Sequence, residues 1–152
     1  LGRSRTASKE LIEEYFRNYP KVKEYMDNMI EKGRKDGFVE TIYGRKRFLP
    51  DINSRNATVR GYNERNAINA PLQGSAADII KVAMINVYRC MKQMNLKSKM
   101  ILQVHDELVF DVVPNEIEQL KELVTKQMES VIKLRVPLVA EAGVGNNWLE
   151  AH

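Results

Sequence analysis

The feature that most constrains the fold is a long helical pattern at residues 63–94, which is rich in Ala, Ile and Val. Pro71 and Gly74 interrupt this pattern. Because proline removes a backbone donor and clashes with the preceding turn, we expect these two residues to kink or divide the helix. The chain therefore contains either one long helical element or two shorter ones in direct succession.

Three shorter helices are predicted from the spacing of apolar residues. The first begins after an N-cap at Ser8 and is stopped by Pro20, and the second ends near Gly33. A third, amphipathic helix is predicted at residues 115–133. Between the second helix and the long helical pattern, residues 51–62 have the composition of a loop.

The β-rich runs of the sequence occur mainly in pairs. Residues 38–49 turn at Gly44 and predict a basic hairpin. The runs 99–104 and 108–113 are separated by three polar residues and predict a second antiparallel hairpin, and 136–144 is expected to be a last strand. Since strands and helices do not alternate regularly, we expect an α+β fold with an antiparallel sheet packed with helices.

Composition limits the class of protein. With 43% hydrophobic residues the chain can bury a core, and without a run of about 18 apolar residues no membrane-spanning helix is expected. The single cysteine, Cys90, cannot form an internal disulfide, which suits a reducing cytoplasm. The absence of a Cys or His cluster in the sequence argues against a structural zinc site.

Positive charge is concentrated in one segment. Residues 32–65 contain nine Lys or Arg and four acidic residues, a net charge of +5 in a chain whose net charge is +4. A phosphate backbone attracts a basic stripe of this kind. A solvated basic surface without a ligand accounts for the same charge, so charge alone leaves both interpretations open.

The polar residues His105, Asp106 and Glu107 lie between two apolar β-rich runs. A carboxylate at the tip of a rigid hairpin can hold Mg²⁺ through oxygen. An ordinary polar turn is the alternative, since Asp favours turns. A hydrolase with a His-Asp pair is less well supported, because the sequence has no serine in a nucleophile-elbow motif.

Arg65, Asn69 and Gln73 are spaced four residues apart, which places them on one face of a helix. All three can donate hydrogen bonds, and the minor groove of a duplex offers acceptors that discriminate little among base pairs. Such a row could hold any duplex without choosing a sequence. If Pro71 begins a new helix, however, Gln73 leaves the common face, and a solvated polar face is the alternative.

The order of the motifs resembles that of the bacterial family A DNA polymerases, and the resemblance covers essentially the whole chain. The matching residues are Thr41-x-x-Gly44-Arg45-Lys46-Arg47, Glu64-Arg65-x-Ala67-x-Asn69-x-Pro71-x-Gln73-Gly74-x-Ala76-Ala77-Asp78, Gln103-Val104-His105-Asp106-Glu107-Leu108-Val109 and Val144-Gly145-x-Asn147-Trp148. The resemblance implies a right-hand polymerase that extends a primer on a template, using deoxynucleoside triphosphates and two Mg²⁺ ions.

Roles for individual residues follow from the resemblance. Asp106 matches a catalytic, metal-binding aspartate, Glu107 its acidic neighbour and second candidate ligand, and His105 a residue that lies against the primer terminus. The set that resembles DNA-gripping residues of the family comprises Arg65, Asn69 and Gln73 on the helix and Arg45, Lys46 and Arg47 in the hairpin.

The resemblance also implies an arrangement of subdomains and a location. Residues 1–60 resemble the distal fingers, and residues 61–152 resemble the C-terminal part of the palm. The expected partners are primer–template DNA and deoxynucleoside triphosphates, with no membrane, in a bacterial cytoplasm at the nucleoid.

The sequence departs from the family pattern in what it lacks. It contains no Asp-Tyr-Ser-like motif with a second catalytic aspartate and no triphosphate-binding helix. We therefore expect the chain to be a C-terminal piece that is inactive alone, binds Mg²⁺ weakly, and can self-associate through a sheet edge left unpaired. A non-catalytic nucleic-acid-binding module and a metal-dependent nuclease are the alternative functions.

Overall fold

The computed structural model describes residues 4–151, apart from the side chain of Arg5. The chain divides into two compact units, residues 1–75 and 76–152. Helices and two small antiparallel sheets make up the fold, which confirms the predicted α+β class. Within the described residues no helix is both long and apolar enough to cross a membrane.

The first helix, α1, extends over Arg5–Asn18 and begins earlier than predicted. Its N-cap is Ser4, whose Oγ accepts a hydrogen bond from the backbone N–H of Ala7 at 3.2 Å. Ser8, the predicted cap, lies inside the first turn, where its hydroxyl donates to the carbonyl of Ser4. The prediction chose the wrong one of two serines four residues apart, since either side chain can cap a helix.

The second helix, α2, extends over Pro20–Asp36. Pro20 is its first residue, where the missing N–H is not needed. The predicted end near Gly33 is wrong, because the helix continues to Gly37, which has φ = 78° and donates its N–H to the carbonyl of Gly33. A glycine ends a helix where a left-handed residue is required, and Gly37 meets that requirement.

Gly33 has a different function in this helix. A Cβ at this position would lie 2.7 Å from Cδ1 of Ile52 and 3.0 Å from Cδ1 of Leu49. The absence of a side chain therefore lets α2 approach the core of the first unit closely. That core consists of Val39, Leu49, Ile52 and Ala67, each no more than 1% exposed.

The predicted basic hairpin is present in the first unit. Strand β1, Phe38–Glu40, pairs antiparallel with β2, Lys46–Phe48, and Gly44 has φ = 80° in the connecting turn. Val39 is the residue of the hairpin that enters the core, and its cross-strand partner is Arg47.

The long helix, α3, extends over Ala57–Gln93 as one continuous helix with Pro71 inside it. Of the two outcomes expected at Pro71, a kink or a division of the helix, the division is therefore wrong, although proline removes one intrahelical hydrogen bond. The helix also begins within the predicted loop, because Asn56 Oδ1 accepts from the backbone N–H groups of Thr58 at 2.9 Å and Val59 at 3.4 Å. The hydroxyl of Tyr25 donates to the carbonyl of Ile68 at 3.2 Å, and burial raises the pKa of Tyr25.

In the second unit, β3, Lys99–Val104, pairs antiparallel with β4, Glu107–Asp111, with a bulge between Met100 and Leu102. A 3-10 turn, Pro114–Glu116, leads into α4, Ile117–Glu129. The core joins one face of the C-terminal part of α3 to one face of α4. It contains Val87, Met91, Leu120, Leu123 and Val124.

Glu116 closes the loop that precedes β3. Its carboxylate accepts from the backbone N–H of Lys97 at 2.9 Å, from the N–H of Ser98 at 2.9 Å and from the hydroxyl of Ser98 at 2.6 Å. The Lys97 N–H, the Ser98 hydroxyl and the Ser98 N–H hold the pKa of Glu116 below its ordinary value, because they stabilise the charged form. This residue is 9% exposed, and its hydrogen bonds connect the loop before β3 to the 3-10 turn before α4.

Two predictions for the C-terminal region are wrong. The helix ends at Glu129 instead of residue 133, and no strand forms at residues 136–144; among the described residues after 129 there is neither helix nor strand. Val136 is 66% exposed and Val139 is 75% exposed. A β-rich run becomes a strand only when a neighbouring strand takes its backbone hydrogen bonds, and sequence pattern does not establish that partner.

Candidate nucleic-acid interface

The predicted row of hydrogen-bond donors is intact in the structure. Because α3 continues through Pro71, Arg65, Asn69 and Gln73 remain on one face, with a rise of about 6 Å between successive members. All three are exposed, whereas Ala67 and Pro71 on the opposite side are buried. The helix therefore presents a row of donors along about two turns of its surface.

The three basic residues of the hairpin do not share one surface. Arg45 donates through Nη2 to the carbonyl of Gly74 at 3.0 Å. Lys46 places Nζ 4.2 Å from the centre of the Phe38 ring, a cation–π contact. Arg47 lies on the opposite side of β2, because neighbouring residues of a strand point to opposite faces.

Arg47 and Arg65 line the same groove of the first unit. This groove has a volume of about 510 Å³ and also contains Phe48, Tyr62 and Asn66 among its lining residues. Phe48 is 68% exposed and Tyr62 is 57% exposed. Two arginines and the exposed Tyr62 in one groove form a surface that suits nucleic acid, through phosphate contacts and stacking. Phe48 follows Arg47 on β2, and its ring packs against Phe38 on the other face of the hairpin.

Other charges in the basic segment are partly compensated within the first unit. Arg34 Nη2 lies 2.6 Å from Oε1 of Glu64, and Arg60 Nε lies 3.8 Å from the same oxygen. Lys32 Nζ lies 2.9 Å from Oδ2 of Asp36. The net charge of the segment therefore overstates the number of cations that face solvent without an acidic neighbour.

The acidic hairpin has a tighter turn than predicted. Val104 pairs with Glu107, so the turn consists of His105 and Asp106 alone and Glu107 is the first residue of β4. His105 has φ = 52°. A positive φ at the first turn position is typical of glycine in type II′ turns, and a larger residue there is strained by roughly 1–2 kcal/mol. Strained residues of this kind are found preferentially at functional sites.

Asp106 is exposed at the apex of this turn, and Glu107 is half-buried beside it. The amide of Gln103 donates to the carbonyl of His105 at 2.5 Å, which fixes the base of the turn. Carboxylate oxygens are suitable ligands for Mg²⁺. However, the described part of the chain contains no group of three or more His, Cys, Asp or Glu residues that could hold a metal. Asp106 and Glu107 therefore fit part of a magnesium site.

The site residues fall into two sets. The donor row and the basic hairpin belong to the first unit, and residues 105–107 belong to the second. Sequence reasoning did not identify the exposed ring of Tyr62. The interleaving of aromatic and basic residues, as in Arg60, Tyr62 and Arg65, was the available signal.

Comparison with known proteins identifies the family. The profile of the family described as DNA polymerase family A matches residues 1–150. The chain belongs to DNA polymerase family A. The resemblance inferred from the motifs is thus confirmed.

Individual members of family A share high identity with this chain over almost all of its length. DNA polymerase I of Caldicellulosiruptor bescii is 53% identical over 147 residues, which are 97% of this chain and 17% of that protein. DNA polymerase I of Lactococcus lactis subsp. cremoris is 50% identical over 151 residues, 99% of this chain and again 17% of the relative. The chain therefore spans about a sixth of the length of these relatives.

A solved structure has the same fold. The POL domain of Pol1 from M. smegmatis, in complex with DNA primer-template and dNTP, matches this chain with a TM-score of 0.96 and 45% identity. The match covers 99% of this chain and 27% of the other. The arrangement of helices and strands in this chain therefore agrees with the family to which it belongs.

Proposed function

We propose that this chain is the part of a template-directed DNA polymerase that grips primer–template near the growing end and supplies one catalytic carboxylate. The reaction is nucleotidyl transfer from a deoxynucleoside triphosphate to the primer 3′-hydroxyl. The observation that carries the proposal is membership of family A together with an exposed donor row and an exposed aspartate at a strained turn.

The donor row is proposed to bind the minor groove of the primer–template duplex. Arg65, Asn69 and Gln73 can each donate to purine N3 and pyrimidine O2, acceptors that every base pair offers. Arg47, next to Arg65 in the groove, is proposed to contact backbone phosphate. Contacts of these two kinds hold a duplex without choosing a sequence, as a copying enzyme requires.

The turn residues are proposed to act at the primer terminus. Asp106 would hold Mg²⁺, with Glu107 as the neighbouring ligand, and His105 would donate a hydrogen bond to primer phosphate or sugar. When bound, Mg²⁺ supplies charge stabilisation for the attacking and leaving oxygens. Asp106 contributes a carboxylate that extends into solvent from a hairpin apex, where it can approach a metal and a substrate.

Two-metal chemistry requires carboxylates from more than one strand. Because Mg²⁺ keeps several waters and needs carboxylates together with substrate phosphates, Asp106 and Glu107 alone would bind it weakly. We therefore propose that the 152-residue chain alone is inactive. The subdomain assignment, with fingers at residues 1–60 and palm at 61–152, belongs to the same proposal.

The proposal can be tested in a chimera. The matching segment of Caldicellulosiruptor bescii DNA polymerase I is replaced by this chain, and primer extension and duplex binding are measured. The chimera should extend primers, and the chain alone should not. In the chimera, Asp106→Ala should slow extension by roughly 100-fold or more, because the metal supplies several kcal/mol of charge stabilisation. Its duplex affinity should stay within a few-fold of that of the unsubstituted chimera.

Asp111→Ala is the matched control, since Asp111 is an exposed aspartate at the far end of the same hairpin. This change should leave extension nearly unaltered. Equal extension rates for the two variants would refute the catalytic role of Asp106. A chimera that binds duplex but does not extend it would instead favour a non-catalytic nucleic-acid-binding module.

A further inference from the structure

The turn between β1 and β2 is joined to α3 through a serine that bonds in both directions. Ser75 donates its hydroxyl proton to the carbonyl of Pro71 at 2.5 Å. The same oxygen accepts the backbone N–H of Ile42 at 2.9 Å. Because a hydroxyl carries one proton and also accepts through its lone pairs, these two bonds fix its orientation. The turn is therefore attached to the helix at a defined point.

Arg45 makes a second attachment beside the first. Its Nη2 donates to the carbonyl of Gly74 at 3.0 Å, and its backbone N–H donates to Oγ1 of Thr41 at 3.1 Å. The guanidinium is therefore directed towards the helix, while Thr41 is buried beneath the turn. Hydrogen bonds from charged groups are stronger than those between neutral ones.

Gly74 allows the turn to come this close. A Cβ on Gly74 would lie 2.6 Å from Cγ2 of Thr41 and 3.2 Å from Nη2 of Arg45. Threonine is β-branched and has few rotamers, so its methyl group cannot easily move aside. Contact between turn and helix thus depends on glycine at this position.

We propose that Arg45 is a positioning residue that attaches the turn at residues 41–45 to α3, and that it does not bind phosphate. Arg47 follows two residues later, so the attached turn determines where Arg47 lies in the groove that it lines together with Arg65. This inference rests on the proposed function, because DNA contact by Arg47 and Arg65 is part of that proposal. It replaces the phosphate contact expected for Arg45 from the sequence.

The dependence of duplex affinity on salt concentration separates the two roles. Removal of one Lys or Arg that binds phosphate makes the slope of log affinity against log salt concentration less steep by about 0.9. Arg45→Met and Arg47→Met remove the same charge from the same hairpin. In the chimera, Arg47→Met should weaken primer–template binding and reduce the slope by about 0.9. Arg45→Met should weaken binding by roughly tenfold, about 1.4 kcal/mol, with the slope unchanged. A slope reduced equally by both variants would overturn the inference.

A change that leaves the charge intact provides a second test. Gly74→Ala should weaken binding without altering the slope, because the new methyl group displaces the turn. Thr41→Ser removes Cγ2 but keeps the hydroxyl that accepts from Arg45. Combined with Gly74→Ala, it should restore most of the affinity. If the double variant binds as weakly as Gly74→Ala alone, the proposed contact does not control the position of the turn.

Hydrogen exchange in the 152-residue chain tests the attachment without DNA. Exchange of the Ile42 N–H should accelerate by roughly tenfold in Arg45→Met, since loosening the turn exposes this amide, and should not change in Arg47→Met. An unchanged exchange rate of the Ile42 N–H in both variants would overturn the inference, independently of the binding results obtained with the chimera. A folded chimera that fails to bind DNA would refute the proposed function alone.

Discussion

Replacement of Gly33 by alanine should destabilise the first unit, although alanine is the better helix former. The new Cβ would lie 2.7 Å from Cδ1 of Ile52 and 3.0 Å from Cδ1 of Leu49. Ordinary carbon–carbon contacts are about 3.5–4.0 Å, so the overlap with Ile52 is roughly 1 Å. Both neighbours are 1% exposed and cannot move into solvent.

Two opposing free energies decide the result for Gly33→Ala. Overpacking of a core costs about 1–3 kcal/mol. Replacement of glycine by alanine inside a helix gains about 1 kcal/mol. We therefore expect a net decrease of about 1 kcal/mol in the free energy of unfolding. The measurement is urea denaturation followed by circular dichroism, with hydrogen exchange of the α2 amides to report on this unit.

A double-variant cycle tests the assigned cause. Ile52→Val removes the clashing Cδ1 and alone should cost about 0.5–1.5 kcal/mol. Together with Gly33→Ala, it should be less destabilising than the sum of the two single changes, because the new methyl fills the space vacated. The control is Gly61→Ala, a helical site where a new Cβ would meet Arg65 Nη1 at an ordinary distance of 3.6 Å. This control should gain up to about 1 kcal/mol. Additive effects, or a gain for Gly33→Ala like that of Gly61→Ala, would refute the reasoning.

Two further predictions concern the second unit. Glu116→Gln should destabilise the chain at neutral pH, because Glu116 has a lowered pKa in the folded state. Its contribution is present above the unfolded pKa of about 4.3 and is lost as pH falls through the lower folded pKa. The difference between Glu116→Gln and the unaltered chain in urea denaturation should therefore shrink in acid, and a difference independent of pH would contradict this. The chain should also self-associate through the outer edges of β3 and β4, and Ile101→Lys should reduce the association because a charged edge resists pairing. The control is Val139→Lys, at a residue outside the sheet. A monomeric mass for the unaltered chain in light scattering at high concentration would count against the predicted self-association.

The sequence predicted the element types well where local chemistry decides them. The hairpin around Gly44 formed as expected, since a glycine with positive φ between two β-rich runs specifies a turn locally. The helix ends were predicted less well. Ser4 and Ser8 offer similar caps, and Gly33 and Gly37 offer similar ends; of the two glycines, Gly33 packs against the core and Gly37 ends the helix.

The candidate site was predicted as a set of residues but not as an arrangement. The spacing of Arg65, Asn69 and Gln73 predicted their common face correctly once α3 proved continuous. The run of Arg45, Lys46 and Arg47 gave no indication that these side chains go to three different places, because adjacent charges look alike in a sequence.

The sequence by itself determined the family and the α+β class and supplied the candidate site residues as a prediction, because all three depend on motifs and on periodicities of neighbouring residues. Tertiary structure decided whether Pro71 divides its helix, whether residues 136–144 become a strand and where Arg45 is directed. The direction of Arg45 depends on a partner far along the chain, the carbonyl of Gly74, and a strand at residues 136–144 would need a neighbouring strand with which to pair. Contacts of that kind have free energies of a few kcal/mol, enough to override local preference.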